Sequence, residues 1–510
     1  MSFADPFPGY SLLLRTIVYV LVPAFTAWQV VRLRRALHVF QLEGYKRGRF
    51  LEWCRHNRRR ALWLGRHDAK KPLVMTGRAW RILVVATVLT PPLVLVPPGL
   101  AHLYLGGFPA DVATWALATA LVFAGTSYVL VASDVVLTPV QRAVNARYLR
   151  AARRKLDAYE PLVIGITGSF GKTSTKFAVE GLIGPSGSAL ATPGSFNTPL
   201  GVCRTINEHL EPAHRFFVVE MGAYREGDIA ELCDFVRHRI GVLTAIGPAH
   251  LERFGSMDAI RRGKYEIVTH LPPDGVAVMN VDDGEVRALA DRTTRVAVVR
   301  YGLDPEGRPD VTARDVRTTP DGTELTIVDA RSGASIDART VLLGRHAVGH
   351  VLAGVAVALA AGRGLDELVE PIAALAPVEH RLQLIDGAGG VRVIDDAYNS
   401  NPEGAAAALE VLDAMPARRK VVVTPGIVEL GPLQRAANER FGAHAARVAD
   451  VLVVVAPVNR DAIVAGARGV DGCEVVVVDS LSEATRSLQG RLGAGDVVLF
   501  ENDLPDQYER

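Results

Sequence analysis

An apolar strand, a glycine-rich turn and the start of a helix follow one another directly at residues 161–183, in the segment PLVIGITGSFGKTSTKFAVEGLI. The run 162–166 is apolar and rich in β-branched residues, which predicts a buried strand. A strand that leads through such a turn into a helix directs several backbone N–H groups toward one point, and this suits a polyphosphate. The segment therefore predicts an α/β fold with a nucleotide-binding loop.

The turn also supplies the side chains that a nucleoside triphosphate and its metal ion need. Lys172 would reach the terminal phosphates, and the hydroxyl of Thr173 would bind Mg²⁺. The pattern departs from the usual G-x4-G-K-[ST] loop, because Ile166 stands where that loop has its first glycine. We predict that ATP contacts the following residues of this segment: Gly168, Ser169, Gly171, Lys172, Thr173 and Ser174.

Apolar strands alternate with helical segments along the chain after residue 155. Between residues 156 and 300 this alternation predicts an open, mainly parallel sheet. Residues 308–343 alternate charged and β-forming residues, as an antiparallel flap would, and the short alanine-rich stretch 347–361 favours a buried helix. A second series of strands and helices follows residue 379 and predicts a Rossmann-like domain, although it contains no GxGxxG.

The first 155 residues contain three apolar stretches, at 10–31, 82–105 and 112–131. Each has about 20 residues or more, enough to cross a hydrocarbon core of about 30 Å. We therefore predict three transmembrane helices. The predicted fold class is α/β, with an N-terminal membrane anchor, a central P-loop-type domain with a mainly parallel sheet and a C-terminal Rossmann-like α/β domain. The predicted boundaries of these three parts are 1–155, 156–378 and 379–510.

Charge divides the chain in the same way. Residues 1–155 hold 22 Lys and Arg against 6 Asp and Glu, and the loop 32–81 alone holds 15 against 3. Basic loops favour the cytoplasmic side of a membrane. This predicts a multi-pass cell-membrane protein with its catalytic domains in the cytoplasm, whose basic loop contacts anionic lipid headgroups. A role for that loop in binding an anionic lipid-linked substrate stays open.

Composition excludes several other classes of protein. The four cysteines lie far apart and form no CxxC pair, which argues against a disulfide framework and against a zinc cluster. The net charge of +2 averages a basic and an acidic part, and we expect no nucleic-acid partner.

Further motifs follow the phosphate loop in a fixed order. They are TGSFGKTSTK (167–176), GSFNTPLGV (194–202), VVEMGA (218–223), GPAHLERFGS (247–256), RRGKYEIV (261–268), VMNVDD (278–283), EHRLQLI (379–385), IDDAYNSNP (394–402) and GIVELG (426–431). Over residues 155–510 the chain resembles the Mur ligase family, which joins amino acids or peptides to cell-wall precursors. The motifs are most similar to the branch that adds D-alanyl-D-alanine to a UDP-muramoyl tripeptide.

The resemblance implies ATP-driven amide formation. In that reaction a substrate carboxylate attacks the γ-phosphate to give an acyl phosphate, and an amine then displaces phosphate. The protein contributes mainly by positioning groups and neutralising charge. The implied partners are a cell-wall precursor, either a UDP-muramoyl peptide or a lipid-linked one, and an amino acid or dipeptide such as D-Ala-D-Ala.

The resemblance also implies roles for single residues. Thr173 and Glu220 would bind one Mg²⁺, and His250 and Lys264 a second one. Lys264 would serve as a metal ligand after carbamylation by CO₂, which converts a cation into an anionic oxygen ligand. The implied catalytic residues are Lys172, His250, Lys264 and Arg381.

The remaining implied roles concern the nucleotide and the two substrates. Asn280 would contact adenine, while Arg381 would lie near the phosphates and Asp395 near the ribose once the last domain closes. The implied substrate-binding residues are Asn197, Thr198, Tyr398 and Asn399.

Two departures from the family leave alternatives open. The family pattern G-x-H-N-x-x-N corresponds here to residues 344–350, where Ala347 and His350 replace both asparagines, so adenine would be held differently. No UDP-sugar-binding fold is visible before the phosphate loop, which leaves the acceptor open. A membrane-tethered poly-γ-glutamate synthase-type ligase is one alternative, and a P-loop ATPase coupled to transport or signalling is another.

Overall fold

The computed structural model describes residues 20–63, 72–105, 108–184, 187–319, 322–398, 400–455 and 457–503. The chain divides into two compact units, Met1–Arg147 and Tyr148–Arg510. The first unit is helical in its described part, and the second carries both sheets.

The helices of the first unit are α1 (Val22–Leu42), α2 (Arg47–His56), α3 (Arg58–Trp63), α4 (Gly77–Leu105), α5 (Phe108–Ala124) and α6 (Thr126–Val136), and α7 (Thr138–Tyr159) crosses the boundary between the units. Several buried apolar side chains form their common core, among them Leu33, Phe40 and Phe50. Arg32 is buried with them, and its guanidinium donates to the carbonyls of Leu62 and Phe123 at 2.7 and 2.8 Å.

The structure does not support the prediction of three transmembrane helices. Among the described residues one helix, Gly77–Ala101, is long and apolar enough to cross a membrane. The third apolar stretch is not a single helix, because it bends by 75° between Val112–Ala124 and Thr126–Val136, and the pair amounts to one broken span at most. Residues 10–19 of the first stretch lie outside the described residues, and its remainder leads into α1, which carries three arginines in one turn.

The predicted localisation, which depended on these transmembrane helices, is wrong. A multi-pass membrane protein with cytoplasmic catalytic domains is not supported by one apolar helix, and neither is a membrane lipid as a partner. The physical reason is that apolar composition does not report where a helix bends, and the third stretch breaks between Ala124 and Thr126.

The larger sheet of the second unit has nine strands in the order β2-β3-β1-β4-β5-β6-β7-β8-β9. All neighbouring strands from β2 to β7 pair in parallel, and β7, β8 and β9 pair antiparallel. The predicted parallel-rich central sheet is thus confirmed, and the expected flap continues it. Its strands are β1 (Leu162–Thr167), β2 (Ala189–Ala191), β3 (Phe216–Glu220), β4 (Ile240–Leu243), β5 (Val276–Asn280), β6 (Ala297–Tyr301), β7 (Val311–Thr319), β8 (Gly322–Asp329) and β9 (Ala334–Thr340).

The smaller sheet has six strands in the order β10-β11-β15-β12-β13-β14, and only β10 is antiparallel. It forms the predicted C-terminal α/β part. Its strands are β10 (Gln383–Asp386), β11 (Arg392–Asp396), β12 (Arg419–Thr424), β13 (Val451–Val455), β14 (Glu474–Val478) and β15 (Asp496–Glu501).

Helices cover both sheets. They are α8 (Lys172–Ile183), α9 (Pro199–His209), α10 (Asp228–Val236), α11 (Leu251–Phe254), α12 (Met257–Thr269), α13 (Gly284–Arg292), α14 (Gly344–Ala360), α15 (Val369–Ala373), α16 (Pro402–Ala414), α17 (Gln434–Val448), α18 (Arg460–Ala467) and α19 (Leu481–Leu488). The alanine-rich stretch of the sequence is α14, which is buried along most of its length against α8 and the central sheet.

The strand order brings polar residues to one edge of the central sheet. The parallel strands β3, β1, β4 and β5 are neighbours, so their carboxyl ends meet at the same edge. The phosphate loop follows β1, while Glu220 and Asn280 end β3 and β5. Ligands of open α/β sheets bind at this edge.

Candidate active site

The phosphate loop is held in a shape that only glycine permits at two positions. Gly171 has φ 78° and precedes α8, and a Cβ at Gly168 would lie 2.0 Å from Thr244 Oγ1. Between them, the Ser169 hydroxyl donates to the carbonyl of Gly247 and accepts from its N–H at 3.0 and 2.9 Å. The loop therefore presents the amino end of α8 to the cleft in a fixed geometry.

Lys172 lies at the base of the cleft. Its ammonium donates to the carbonyls of Gly168 and Ser169 at 2.7 and 3.2 Å. Burial lowers the pKa of Lys172 to about 8, although the carboxylate of Glu220 opposes the shift. A buried cation whose hydrogen bonds go to neutral carbonyls is suited to an anionic ligand such as a phosphate.

Glu220 accepts three hydrogen bonds from side chains of the cleft. Thr173 donates to Oε2 at 2.9 Å, Asn197 donates to Oε1 at 3.1 Å, and the ammonium of Lys176 lies 3.3 Å from Oε2. Burial alone would raise the pKa of Glu220, but the ammonium groups of Lys176 and Lys172 outweigh it and hold the pKa below its ordinary value. The carboxylate and the Thr173 hydroxyl are hard oxygen ligands of the kind that Mg²⁺ prefers, so this pair fits a magnesium ion.

His250 contacts a residue that follows a strand of the smaller sheet. Its Nδ1 lies 2.6 Å from Glu429 Oε2, and Arg253 donates to the other oxygen of the same carboxylate at 2.8 Å. Burial lowers the pKa of His250, while the hydrogen bond to Glu429 opposes that shift. Both His250 and Glu429 have positive φ, at 60° and 65°. Such backbone is uncommon outside glycine and clusters at functional sites.

Lys264 is almost completely buried, with 2% of its surface exposed. Burial, and then the nearby charge of Lys172, lower the pKa of Lys264 well below its ordinary value. It forms no ion pair with any residue that the structure describes. Burial and the charge of Lys172 both favour the neutral form of its amine, which is the nucleophilic form of a lysine.

Arg381 comes from the segment that joins the two sheets. Its Nη2 donates to Thr173 Oγ1 at 3.4 Å, and its guanidinium lies 4.6 Å from the ring centre of Tyr398. The residues on either side, His380 and Leu382, have φ values of 59° and 46°. The C-terminal part thus delivers a cation to the phosphate loop from a strained joining segment.

Two predicted site residues are placed differently, and a third is not described. Asp395 accepts from His380 Nδ1 at 2.7 Å and from the N–H of Ala397 at 3.1 Å, and it does not line the cleft. Thr198 caps α9 by accepting from the N–H of Gly201 at 3.4 Å. Asn399 lies outside the described residues.

A second pocket adjoins the loop on the side of β5. The amide of Asn280 donates to the Thr244 carbonyl at 2.9 Å at its floor, and Tyr301 also lines it. His346 and His350, whose rings are 4.8 Å apart at 89°, lie where the family pattern has a histidine and an asparagine. His350 Nδ1 is 3.0 Å from Thr175 Oγ1, so this imidazole contacts α8 itself.

One cleft of about 1180 Å³, part of it open to solvent, brings most of the predicted residues together. Gly168, Ser174, Asn280, Thr198 and Asp395 are not among its lining residues. The predicted residues that line it are Ser169, Gly171, Lys172, Thr173, Asn197, Glu220, His250, Lys264, Arg381 and Tyr398.

Sequence reasoning missed Lys176, Glu429 and Glu501, and it favoured Asp395 over the adjacent Asp396. Lys176 stands one helical turn after Lys172, a spacing that indicates a shared face. Glu429 belongs to the GIVELG motif, but a carboxylate in a motif does not indicate its partner. Glu501 stands at the end of an apolar run, as Glu220 does, so the same pattern could have identified it from the sequence.

Fold and cleft together define a ligase-type nucleotide site, formed by a phosphate loop in one α/β domain and an arginine from the next. The sequence matches the Mur ligase middle domain over residues 166–358 and the Mur ligase glutamate ligase domain over residues 380–501. The chain belongs to the Mur ligase family. It is an ATP-dependent, ADP-forming ligase, as predicted.

Similar proteins carry the name UDP-N-acetylmuramoyl-tripeptide--D-alanyl-D-alanine ligase. The one from Mycobacterium leprae is 34% identical over 391 residues, which cover 70% of this chain and 74% of that protein. The one from Escherichia coli K12 is 32% identical over 308 residues, covering 60% and 67%.

Solved structures agree with this placement. MurF from Acinetobacter baumannii has a TM-score of 0.63 at 28% identity, covering 70% of this chain and 77% of its own. MurF from Thermotoga maritima in complex with ADP has a TM-score of 0.62 at 27% identity, covering 71% and 81%. The match therefore does not support the alternative of a transport-coupled or signalling ATPase, and peptidoglycan precursor synthesis is the supported process.

Proposed function

We propose that this Mur ligase joins D-alanyl-D-alanine to a carboxylate of a UDP-muramoyl tripeptide. The contact that carries the proposal is the approach of Arg381 to Thr173, at 3.4 Å, because it completes a phosphate site between the two domains. The names of the similar ligases supply the substrate class.

Positioning of the phosphates falls to the loop and to two cations. The backbone N–H groups at the start of α8 face the β-phosphate, while Lys172 and Arg381 stabilise the charge that develops on the γ-phosphate. Thr173 and Glu220 would hold a magnesium ion, which would supply positive charge next to the same phosphates. Lys176 keeps Glu220 ionised for that role.

The acceptor carboxylate attacks the γ-phosphate from the side of the cleft that Asn197, His250 and Lys264 line. The acceptor carboxylate and the γ-phosphate are both anionic and repel each other unless cations lie between them. This side of the cleft therefore needs positive charge or a second metal ion. A carbamylated Lys264 would fit as a ligand of that second metal ion, because its amine is buried, its pKa is lowered by that burial, and it forms no ion pair with a described carboxylate. His250 would be the neighbouring ligand.

The incoming amine approaches from the C-terminal side of the cleft. Tyr398 lines this side and packs against Arg381, so it orients the amine toward the acyl phosphate. The adenine lies in the pocket of Asn280, which His346 also lines and where His350 stands in place of the second missing asparagine. Asp395 would reach the ribose only after exchanging its bond to His380.

An ADP-release assay on the full chain tests the proposal. The purified protein is given Mg²⁺-ATP with each pairing of an acceptor (UDP-muramoyl tripeptide or a lipid-linked muramoyl peptide) and an amine (D-Ala-D-Ala or glutamate). We expect strong stimulation only with the UDP-muramoyl tripeptide and D-Ala-D-Ala, and formation of the pentapeptide by mass spectrometry.

Two variants are measured in this assay, one that changes the phosphate site and one that serves as a control. Lys172→Ala removes the phosphate-facing cation and should lower the rate by at least about 10²-fold. Lys420→Ala changes a lysine that bonds to Asp413 outside the cleft, and should leave the rate unchanged. Stimulation by glutamate, or by the lipid-linked acceptor alone, would replace the proposed substrates with that pair.

A further inference from the structure

Two carboxyl groups meet at the end of the smaller sheet, behind the cleft. Asp396 ends β11 and Glu501 ends β15, and these two residues are register partners of the parallel pairing. Glu501 is fully buried. The Ser400 hydroxyl donates to its Oε1, and its Oε2 has no donor among the described residues. One buried oxygen is therefore left facing a second carboxyl group.

A fully buried carboxyl group and a half-buried one beside it do not both ionise, because Glu501 has no contact with solvent and the two charges repel. Burial raises the pKa of Asp396 to about 6, with Arg381 opposing the shift and Asp395 adding to it. Burial, and then the neighbouring Asp396, raise the pKa of Glu501 well above its ordinary value. A single proton between the two groups gives Glu501 Oε2 the hydrogen bond that no other group provides.

The pair is bonded to both segments that carry the arginine and the tyrosine of the cleft. Asp396 Oδ1 accepts from the N–H of Leu382 at 3.1 Å, next to Arg381 in the chain. Glu501 accepts from Ser400, two residues after Tyr398. The backbone at Leu382 has φ 46°, which is strained for a residue other than glycine and persists only where neighbours hold it.

We propose that Asp396 and Glu501 form a carboxyl pair that shares one proton and holds Arg381 in position at the phosphate loop. Both are positioning residues, because they contact the segments that carry Arg381 and Tyr398 and touch no reacting atom. Their effect on catalysis rests on the function proposed above, whereas their effect on the joining segment does not.

The first experiment measures the joining segment itself. Hydrogen–deuterium exchange is followed in the full chain for a peptide covering residues 379–386, which contains the Leu382 amide. In Glu501→Ala this peptide should exchange at least about tenfold faster, since the Leu382 amide loses its held acceptor. Asp496→Asn is the matched control, because Asp496 is a buried carboxylate at the other end of β15 that pairs with Arg418.

The second experiment measures amide formation against pH. In the wild-type protein, loss of the shared proton at high pH leaves two adjacent carboxylates that repel, so kcat should fall. Glu501→Gln supplies a permanent N–H donor to Asp396, and its kcat should not fall over that range. Glu501→Ala should lower kcat by about 10²-fold, as expected for a displaced catalytic group, with little change in ATP affinity.

The outcomes separate the two proposals. Unchanged exchange at 379–386 in Glu501→Ala, or a wild-type pH profile in Glu501→Gln, would overturn the shared-proton pair. If Glu501→Ala does not fold, both the hydrogen–deuterium exchange and the pH profile are measured on Glu501→Gln, and these two results decide whether the pair shares a proton. The protein could also turn out to use other substrates than those proposed. Faster exchange in Glu501→Ala would then still support the carboxyl pair, and only the substrate assignment would fail.

Discussion

His250 Nδ1 lies 2.6 Å from Glu429 Oε2, so an imidazole of the central domain is bonded to a carboxylate of the C-terminal domain. Arg253 bonds to the same carboxylate. Both side chains are partly buried, and their contact joins the two sides of the cleft directly. It is therefore a candidate for the interaction that keeps the domains closed during turnover.

Glu429→Ala should weaken closure without damaging either sheet. A lost hydrogen bond to a charged group costs about 1.5–3 kcal/mol, so kcat/KM for ATP should fall by roughly 10- to 100-fold. Glu439→Ala is a suitable control, since Glu439 pairs with Arg435 on the outer face of α17. Equal kinetics for both variants would show that the contact has no part in closure.

Lys264→Ala should abolish most activity if a carbamate at Lys264 supplies an oxygen ligand. Acetate or formate, added at millimolar concentration, should then restore part of the rate by entering the space that the side chain leaves. The same anions should not restore Lys172→Ala, whose missing group is a cation. Full activity of Lys264→Ala would contradict the proposed role.

His238 should make the folded protein sensitive to acid. It is buried with Nε2 2.7 Å from the Ile267 carbonyl, and burial lowers its pKa from 6.5 to about 4. The unfolded chain takes up a proton below pH 6.5 and the folded one only near pH 4, so stability is complete above 6.5 and falls between these values, by about 3 kcal/mol.

Urea unfolding of the wild type at pH 7.5 and pH 5 measures this loss. His238→Gln removes the titrating group and should unfold with a smaller difference between the two pH values. His209→Gln, on the exposed end of α9, should behave as the wild type does. A wild-type pH difference in His238→Gln would assign the acid sensitivity to other groups.

A chain that begins at residue 138 should still bind nucleotide. All residues of the cleft belong to the unit Tyr148–Arg510, and this shorter chain keeps α7 whole, including Ala152 and Leu156, which are buried in the central core. We expect an ADP dissociation constant within about twofold of the full chain by calorimetry. An insoluble product, or one that does not bind ADP, would mean that the first 137 residues are needed for the ligase fold.

Local patterns were sufficient to predict the α/β class and the loop. The β-branched run before Gly168 and the helix start after Gly171 act through neighbouring residues, and hydrophobic periodicity reports burial directly. The same patterns misled in the first 155 residues. Apolar helices that bury against one another and helices that face lipid share a composition, so neither the bend at Gly125 nor the burial of Arg32 was visible.

The sequence did not predict the contacts between residues that are far apart in the chain. Glu429 and His250 are 179 positions apart, and Asp396 and Glu501 meet only because β11 and β15 became neighbours in the smaller sheet. The position after an apolar strand pointed to Asp395 and Asp396 alike, and Asp395 was favoured. The pleat of β11 decides which carboxylate faces Leu382 and which faces His380.

By itself, then, the chain of residues determined the elements that depend on near neighbours: the phosphate loop, the alternation of strands and helices and the Mur ligase motifs. Tertiary structure decided which ionisable groups share a buried space, and with that the low pKa of Lys172 and the raised pKa values of Asp396 and Glu501. The reason is physical, because desolvation and charge pairing depend on distances in space that residue order does not specify.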